Sequence, residues 1–247
     1  VPLDAAAHHE RARPIEIFRD DAPRNPLGEL RQRTAYLIGS RVINVALALV
    51  ALVMVSPILI IVATLVKFTS RGPIFYRQTR VGLDRRHSGP RTLYDRRAQD
   101  LGGSVFTIYK FRSMRADAER GTGVVWAMKS DPRVTPVGRF LRKTRLDELP
   151  QLLNVIKGEM NIVGPRPERP SIFQRLSRSI EEYPIRQRAK PGITGWAQVN
   201  RAYDASLDDV RKKVQLDIEY IQRQSLLEDL RIMLKTVPVI LHGDKGW

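Results

Sequence analysis

From Val42 to Val66 the chain carries no ionisable side chain, and residues 50–68 read VALVMVSPILIIVATLVKF with a proline near the centre. As one straight helix the 42–66 run would be ~37 Å long at about 1.5 Å per residue, longer than the ~30 Å hydrocarbon core of a bilayer. Length therefore permits a span. Pro57 has no backbone donor and its ring crowds the preceding turn, so it predicts a break, while Ser56 can hydrogen-bond the backbone groups so freed. Arg31, Arg33 and Arg41 precede the run, and Lys67, Arg71, Arg77 and Arg80 follow it. A spanning helix normally has its Lys/Arg excess on the cytoplasmic side alone. Cations at both ends favour a helix–break–helix hairpin at Ser56-Pro57 over a plain crossing or a buried soluble helix. The predicted organisation is an irregular, charged arm at 1–33, a re-entrant membrane helix at 34–68 and a cytoplasmic domain at 69–247.

Beyond the apolar run the periodicity changes. PIFYRQTRVG (73–82) and VFTIYKFRSM (105–114) are β-branched and aromatic with partial alternation, which predicts two short strands; the polar, basic stretch 84–104 between them reads as a loop. Helices are predicted near 136–144 and 148–157, the second closed by Gly158. GPRP then imposes a stiff loop, a helix is predicted over 170–181, and KPGITGWAQVN (190–200) reads as a glycine-punctuated loop. The stretches 205–223 and 225–241 read as helices, and the last mixes apolar residues with Arg231 and Lys235, suiting a membrane interface or the core equally. The fold class is α+β and mostly helical: a membrane hairpin plus a domain with a short β-hairpin and interfacial amphipathic helices.

Charge narrows the partners. The 247 residues carry a formal net charge of +16, which calls for an anion: nucleic acid, acidic lipid or a phosphorylated substrate. There is no cysteine, which excludes disulfides, thiolate nucleophiles and Cys-ligated zinc.

Three places carry candidate chemistry. In RKTRLDELPQ, Asp147 and Glu148 are adjacent carboxylates at a predicted helix start, with Arg142 and Arg145 close by. A helix N-terminus and two cations stabilise such anions, and an ordinary acidic cap would look the same. Pro150 weakens the capping reading, because a cap at Asp147 would aim at a residue without an N–H. In VGPRPERP, Arg166 lies between two prolines, so its backbone is stiff and its guanidinium suits bidentate phosphate binding, and an exposed loop arginine would look the same. In YKFRSMR, Lys110 and Arg112 lie two apart and on a strand would face the same side, either toward a phosphate or toward solvent.

KFRSM, LDELPQLLNVIKGEM, NIVGPRPE and PGITGWAQVN together resemble the bacterial sugar transferase family, monotopic polyprenyl-phosphate phosphoglycosyl transferases, over roughly residues 34–243. The resemblance implies transfer of a sugar-1-phosphate from a UDP-sugar to undecaprenyl phosphate with release of UMP. It implies a place on the inner leaflet of the bacterial cytoplasmic membrane, facing the cytoplasm, on a helix broken at a Ser-Pro pair. By the same resemblance Asp147 is the nucleophile and Glu148, with Asp147, holds Mg²⁺. Arg142 and Arg166 look like phosphate-binding groups, joined by Lys110 and Arg112. Lipid of the inner membrane is then a partner, a homodimer is compatible, and no nucleic acid is expected. The long basic 84–104 loop, Asn161 where serine is usual, and RAYDASL after Asn200 depart from the family pattern and leave the sugar undetermined. A basic membrane-anchored nucleic-acid-binding protein or a scaffold would also explain the charge and the anchor, but would give Asp147-Glu148 no role.

Overall fold

The computed structural model describes residues 26–84, 102–118, 131–200 and 206–242, with side chains within 34–240. Helix α1 spans Pro26–Thr69. Proline suits a first helical turn, where its missing N–H would be unpartnered anyway. The helix therefore starts inside the stretch expected to be an irregular arm, and residues 26–33 are helical instead. Residues 1–25 lie outside the described residues. By compactness the chain divides between Ala35 and Tyr36.

The expected break at Ser56-Pro57 is not present as an interruption: one helix runs through it. The reason lies four residues upstream. Proline at 57 leaves the carbonyl of Val53 without its helical donor, and the Ser56 hydroxyl donates to that same carbonyl at 2.8 Å. The orphaned acceptor is satisfied inside the helix, so a bend at Pro57 needs no gap in it.

Helix α1 is held against the rest of the domain along its length from Tyr36 onward. Tyr36 donates to Asp229 at 3.0 Å, and Arg41 donates to the carbonyls of Val155 and Ile156 at 2.5 and 2.6 Å. Asn44 accepts from the backbone N–H of Ile162. Ala48 enters a core with Ile108, Leu152, Val155 and Met160, and Val62 and Val66 enter another with Phe111 and Leu141. At the far end Arg112 donates to the carbonyls of Val66 and Ser70. The opposite side is apolar and exposed at Val53, Met54, Ile60, Ile61 and Phe68. Within its most apolar window, of mean hydropathy 3.0, only 11% of the residues are buried, which is unlike the core helix of a soluble protein.

The hairpin prediction holds. Strands β1 (Phe75–Val81) and β2 (Val105–Phe111) pair antiparallel, Tyr76 opposite Lys110. Helix α2 covers Pro136–Lys143, capped by Thr135, whose side chain accepts from Gly138. Next come a 3-10 segment, Leu146–Gln151, and helix α3, Leu152–Lys157, which ends at Gly158 with φ 84°. Glycine tolerates that left-handed value without strain.

A second sheet was not expected. Strands β3 (Asn161–Val163) and β4 (Gly192–Thr194) pair parallel, and β4 with helix α5 (Trp196–Asn200) occupies the stretch read as a loop. Gly164 and Gly192 are pressed together so closely that a Cβ on either would overlap backbone of the opposing segment. Helix α4 (Pro170–Ser179), α6 (Leu207–Gln222) and α7 (Leu226–His242) lie close to the predicted ranges, and a 3-10 segment (Tyr183–Arg188) that was not predicted completes the described elements. Phe173, Leu176 and Tyr183 pack with Val210, Val214 and Ile218 of α6. Most of the 84–104 loop lies outside the described residues.

Candidate active site

The two carboxylates do not start an α-helix. They sit inside the 3-10 segment Leu146–Gln151, with Pro150 two residues further on and the α-helix beginning only at Leu152. Arg145, the residue in front of the segment, has φ 56° and ψ 14° and is the one non-glycine with positive φ among the described residues. A left-handed arginine is a strained backbone position. It turns the chain from α2 into the segment that carries Asp147 and Glu148. Successive residues of a 3-10 helix are about 120° apart in projection, so the two neighbours face different surroundings.

Glu148 faces cations. Its Oε1 accepts from Lys110 Nζ and from Arg166 Nη2, each at 2.6 Å, and its Oε2 accepts from Arg166 Nη1 at 3.3 Å. Arg145 Nη1 lies 4.0 Å from the same Oε2. Burial alone would raise its pKa; Arg166 and Lys110 outweigh burial and hold Glu148 well below the usual carboxylate range.

Asp147 is 7% exposed, and its carboxylate accepts no hydrogen bond among the described residues. Burial pushes its pKa up to about 6; Lys110 pulls it down, Glu148 pushes it up, and Arg142 and Arg166 pull it down more weakly. One carboxylate is thus clamped and the other is unclamped and close to titrating at neutral pH. That division suits a positioned structural anion beside a reactive one.

Arg166 comes from the turn after β3, and the fold pins that turn by its backbone. Gly164 N–H donates to Thr194 O at 2.9 Å, Gly192 N–H to Pro165 O at 3.0 Å, Arg80 Nη1 to Pro167 O at 3.0 Å, and Val81 N–H to Glu168 O at 2.9 Å. Arg166 also donates to Gln198 Oε1 at 3.3 Å, which leaves the buried Nε2 of Gln198 without a partner among the described residues. Gln198 belongs to PGITGWAQVN, a quoted motif, but nothing in its spacing singled out the glutamine.

Of the residues expected at the site, the structure brings together Lys110, Asp147, Glu148 and Arg166, with Arg142 close enough for its charge to act on Asp147. Arg112 does not join them. It stands one residue beyond the end of β2, where strand alternation no longer applies, and its guanidinium donates to Val66 O, Ser70 O and Ser70 Oγ at the end of α1. Arg112 therefore caps a helix C-terminus, where a cation complements the exposed carbonyls. Ser56 and Pro57 are exposed on α1, in the apolar stretch and apart from the carboxylates.

Among the described residues no group of three or more acidic or histidine side chains could hold a metal. A pair of hard carboxylate oxygens still fits Mg²⁺, which takes as few as one or two protein carboxylates and completes its shell with phosphate and water. Both short bonds to Glu148 fall on Oε1, leaving Oε2 with longer contacts, and the Asp147 carboxylate is unclaimed. The donor set is compatible with the ion.

These features define a class first: a mostly helical α+β protein in which a long apolar helix lies along a domain with a buried carboxylate pair among cations. The chain belongs to the bacterial sugar transferase family, whose profile it matches over residues 35–243. It is 39% identical over 224 residues to a UDP-N-acetylgalactosamine-undecaprenyl-phosphate N-acetylgalactosaminephosphotransferase of Aeromonas hydrophila, covering 91% of this chain and 48% of the relative. It is 41% identical over 196 residues to a UDP-glucose:undecaprenyl-phosphate glucose-1-phosphate transferase of Escherichia coli, covering 78% and 38%. A protein of the same description from Caulobacter vibrioides is 37% identical over 253 residues, covering 100% and 86%. The chain thus spans half or less of the first two relatives and most of the third.

Proposed function

We propose that this chain transfers a sugar-1-phosphate from a UDP-sugar to undecaprenyl phosphate, releasing UMP, as an early membrane step in making a bacterial surface polysaccharide. The family and the names of its relatives support the reaction class. The observation that carries the mechanism is the contrast between Asp147, buried and without a hydrogen-bond partner among the described residues, and Glu148, held by Lys110 and Arg166.

In this reading an Asp147 carboxylate oxygen attacks the sugar-bearing phosphorus of the UDP-sugar. The bond from that phosphorus to the bridging oxygen breaks, and UMP leaves with the electron pair. An oxygen of the lipid phosphate then attacks the same phosphorus, the bond to Asp147 breaks, and the free carboxylate returns. Donor and acceptor need not occupy the site together, which suits one soluble and one membrane substrate. Lys110, Arg142 and Arg166 supply positive charge where the phosphoryl oxygens gather charge in the transition state. Mg²⁺, held by Glu148 with Asp147, would neutralise pyrophosphate charge and ease departure of UMP. With substrate bound, Arg166 and Lys110 have an anion other than Glu148 to bind, and the Glu148 oxygens would then be available to the ion.

Re-entry of α1 from the cytoplasmic face of the inner membrane belongs to the same reading. Its support is the series of domain contacts from Tyr36 to Ser70, which a helix crossing ~30 Å of lipid to the far side would not make with one domain. Helix α7 adds a second apolar surface: Leu227, Leu230, Leu234 and Val237 are exposed at helical spacing. Lys235 and Arg231 stack over Trp196, 4.4 and 5.6 Å from its ring centre, as suits a helix at the headgroup boundary.

The test is a burst experiment. With UDP-sugar and Mg²⁺ but no lipid acceptor, the protein is expected to release about one UMP per active site and to gain a phosphosugar in intact mass. Asp147→Asn should show neither. A direct displacement by lipid phosphate gives no UMP without acceptor, and that result, or an adduct elsewhere than Asp147, would overturn the mechanism.

A further inference from the structure

We propose that Arg186 and Asp217 form a buried positioning pair that sets the backbone of Arg166 for the donor phosphate, an inference that rests on the function proposed above. Arg186 lies in the 3-10 segment Tyr183–Arg188 and Asp217 on α6; each is 2% exposed. The Arg186 Nε donates to Asp217 Oδ2 at 2.7 Å, Nη1 donates to the Tyr183 hydroxyl at 2.8 Å, and Nη2 donates to the Arg166 carbonyl at 3.0 Å. One planar fork therefore makes three directed bonds, and the third goes to a backbone atom of the residue that grips Glu148.

A buried ion pair is weak evidence for stability, because removing two charges from water offsets much of their attraction. The geometry of this pair points to another use. Pro165 and Pro167 flank Arg166 and carry no N–H, so outside groups hold this turn chiefly through its carbonyls. Those of residues 165, 167 and 168 accept from Gly192, Arg80 and Val81. The carbonyl of Arg166 is the one between them, and Arg186 takes it. Asp217 and Tyr183 orient the plane from which that bond is made. Among the described residues the pair makes no hydrogen bond or ion pair with Asp147 or Glu148, so its effect passes through Arg166. Lysine at 186 keeps the charge but has no planar fork and cannot hold all three partners in that geometry.

The test uses the full chain in detergent or membrane, with Arg186→Lys and Asp217→Asn, the latter keeping shape and an acceptor oxygen. Three quantities are read: UMP release with UDP-sugar and undecaprenyl phosphate, amide hydrogen exchange, and thermal unfolding. In Arg186→Lys, kcat is expected to fall about 10- to 100-fold, the cost of misplacing a substrate-positioning group. The KM for undecaprenyl phosphate should stay at the wild-type value. Exchange should quicken at Val81 and Gly192, whose N–H groups donate to this turn, and not across α6, with the unfolding midpoint kept. Asp217→Asn should show the same pattern more weakly. A wild-type kcat in Arg186→Lys overturns the proposal, as does faster exchange throughout α6 with a lowered midpoint. Should Arg186→Lys not fold, Asp217→Asn decides alone by the same criteria. Exchange does not depend on turnover: a wild-type protein that releases no UMP defeats the functional reading, while localised exchange still reports on the pair.

Discussion

The two faces of one 3-10 turn meet opposite surroundings. On one face Glu148 receives two short bonds from Lys110 and Arg166; on the other, Asp147 is buried with its carboxylate unclaimed among the described residues. The residues are adjacent and chemically alike, so the difference is made by the backbone. A 3-10 turn points them apart, and a left-handed Arg145 starts that turn. What this teaches is that a pair of carboxylates acquires two roles from local geometry, before any substrate arrives.

The largest way to break the contrast is to take charge from the clamped side. Glu148→Gln leaves Lys110 and Arg166 facing a neutral amide and removes a proposed magnesium ligand while leaving the proposed nucleophile. The burst of UMP should slow by about 10²- to 10³-fold, the scale seen when one preorganised charge-stabilising group is lost. The phosphosugar adduct should still form slowly and be partly recovered by excess Mg²⁺. No adduct at any magnesium concentration would show that the two carboxylates act as one unit.

A smaller effect sharpens the contrast from the unclamped side. As the proposed nucleophile Asp147 must be ionised, and without metal its pKa lies at about 6, so the burst rate should fall on acidification, with the limb below pH 6 when Mg²⁺ is bound. Lys110 is the strongest charge lowering that pKa. Lys110→Met should therefore move the acid limb of the pH profile upward. An unmoved limb would mean that it reports some other group.

The smallest effect is on stability. In the folded protein Asp147 keeps its proton up to about 6, against 3.8 ordinarily. Between those values the folded chain binds more protons than the unfolded one, so stability falls as pH rises through that window, and the whole cost is present above it. Asp147→Asn removes the cost. In chelator, its gain should be about 1–3 kcal/mol at pH 7 and close to zero near pH 4, read from thermal unfolding. An equal gain at both values would place the cause outside ionisation.

The legible parts of the fold are those with a local period. FYRQTRV and VFTIYKF are β-branched and aromatic with partial alternation, and both strands form as read. Strands β3 and β4 are three residues each and pair across intervening helices, too short for a period of two to register. The 3-10 turn escaped for a similar reason: Pro150 suits the first turn of an α-helix as well as the inside of a 3-10 one. At the site, Asp147, Glu148, Lys110 and Arg166 were legible because motif and charge agreed. Arg112 was misread because a rule about strands was applied one residue past the strand's end. Arg186 and Asp217 gave no signal, since their meaning depends on a carbonyl 20 residues away in Arg166.

Gly164 and Gly192 carry a consequence for how this sequence can change over time. Each closes on backbone of the opposing segment, where a methyl group has no room. Side chains nearby can be exchanged singly, since a neighbouring rotamer gives way. Backbone offers no such slack, and here it leads directly into Pro165 and Arg166. A mutation at either glycine therefore moves an arginine it does not touch, and a second mutation at the other glycine adds bulk and cannot restore the fit. Substitution at this junction therefore has no stepwise route that keeps the fit.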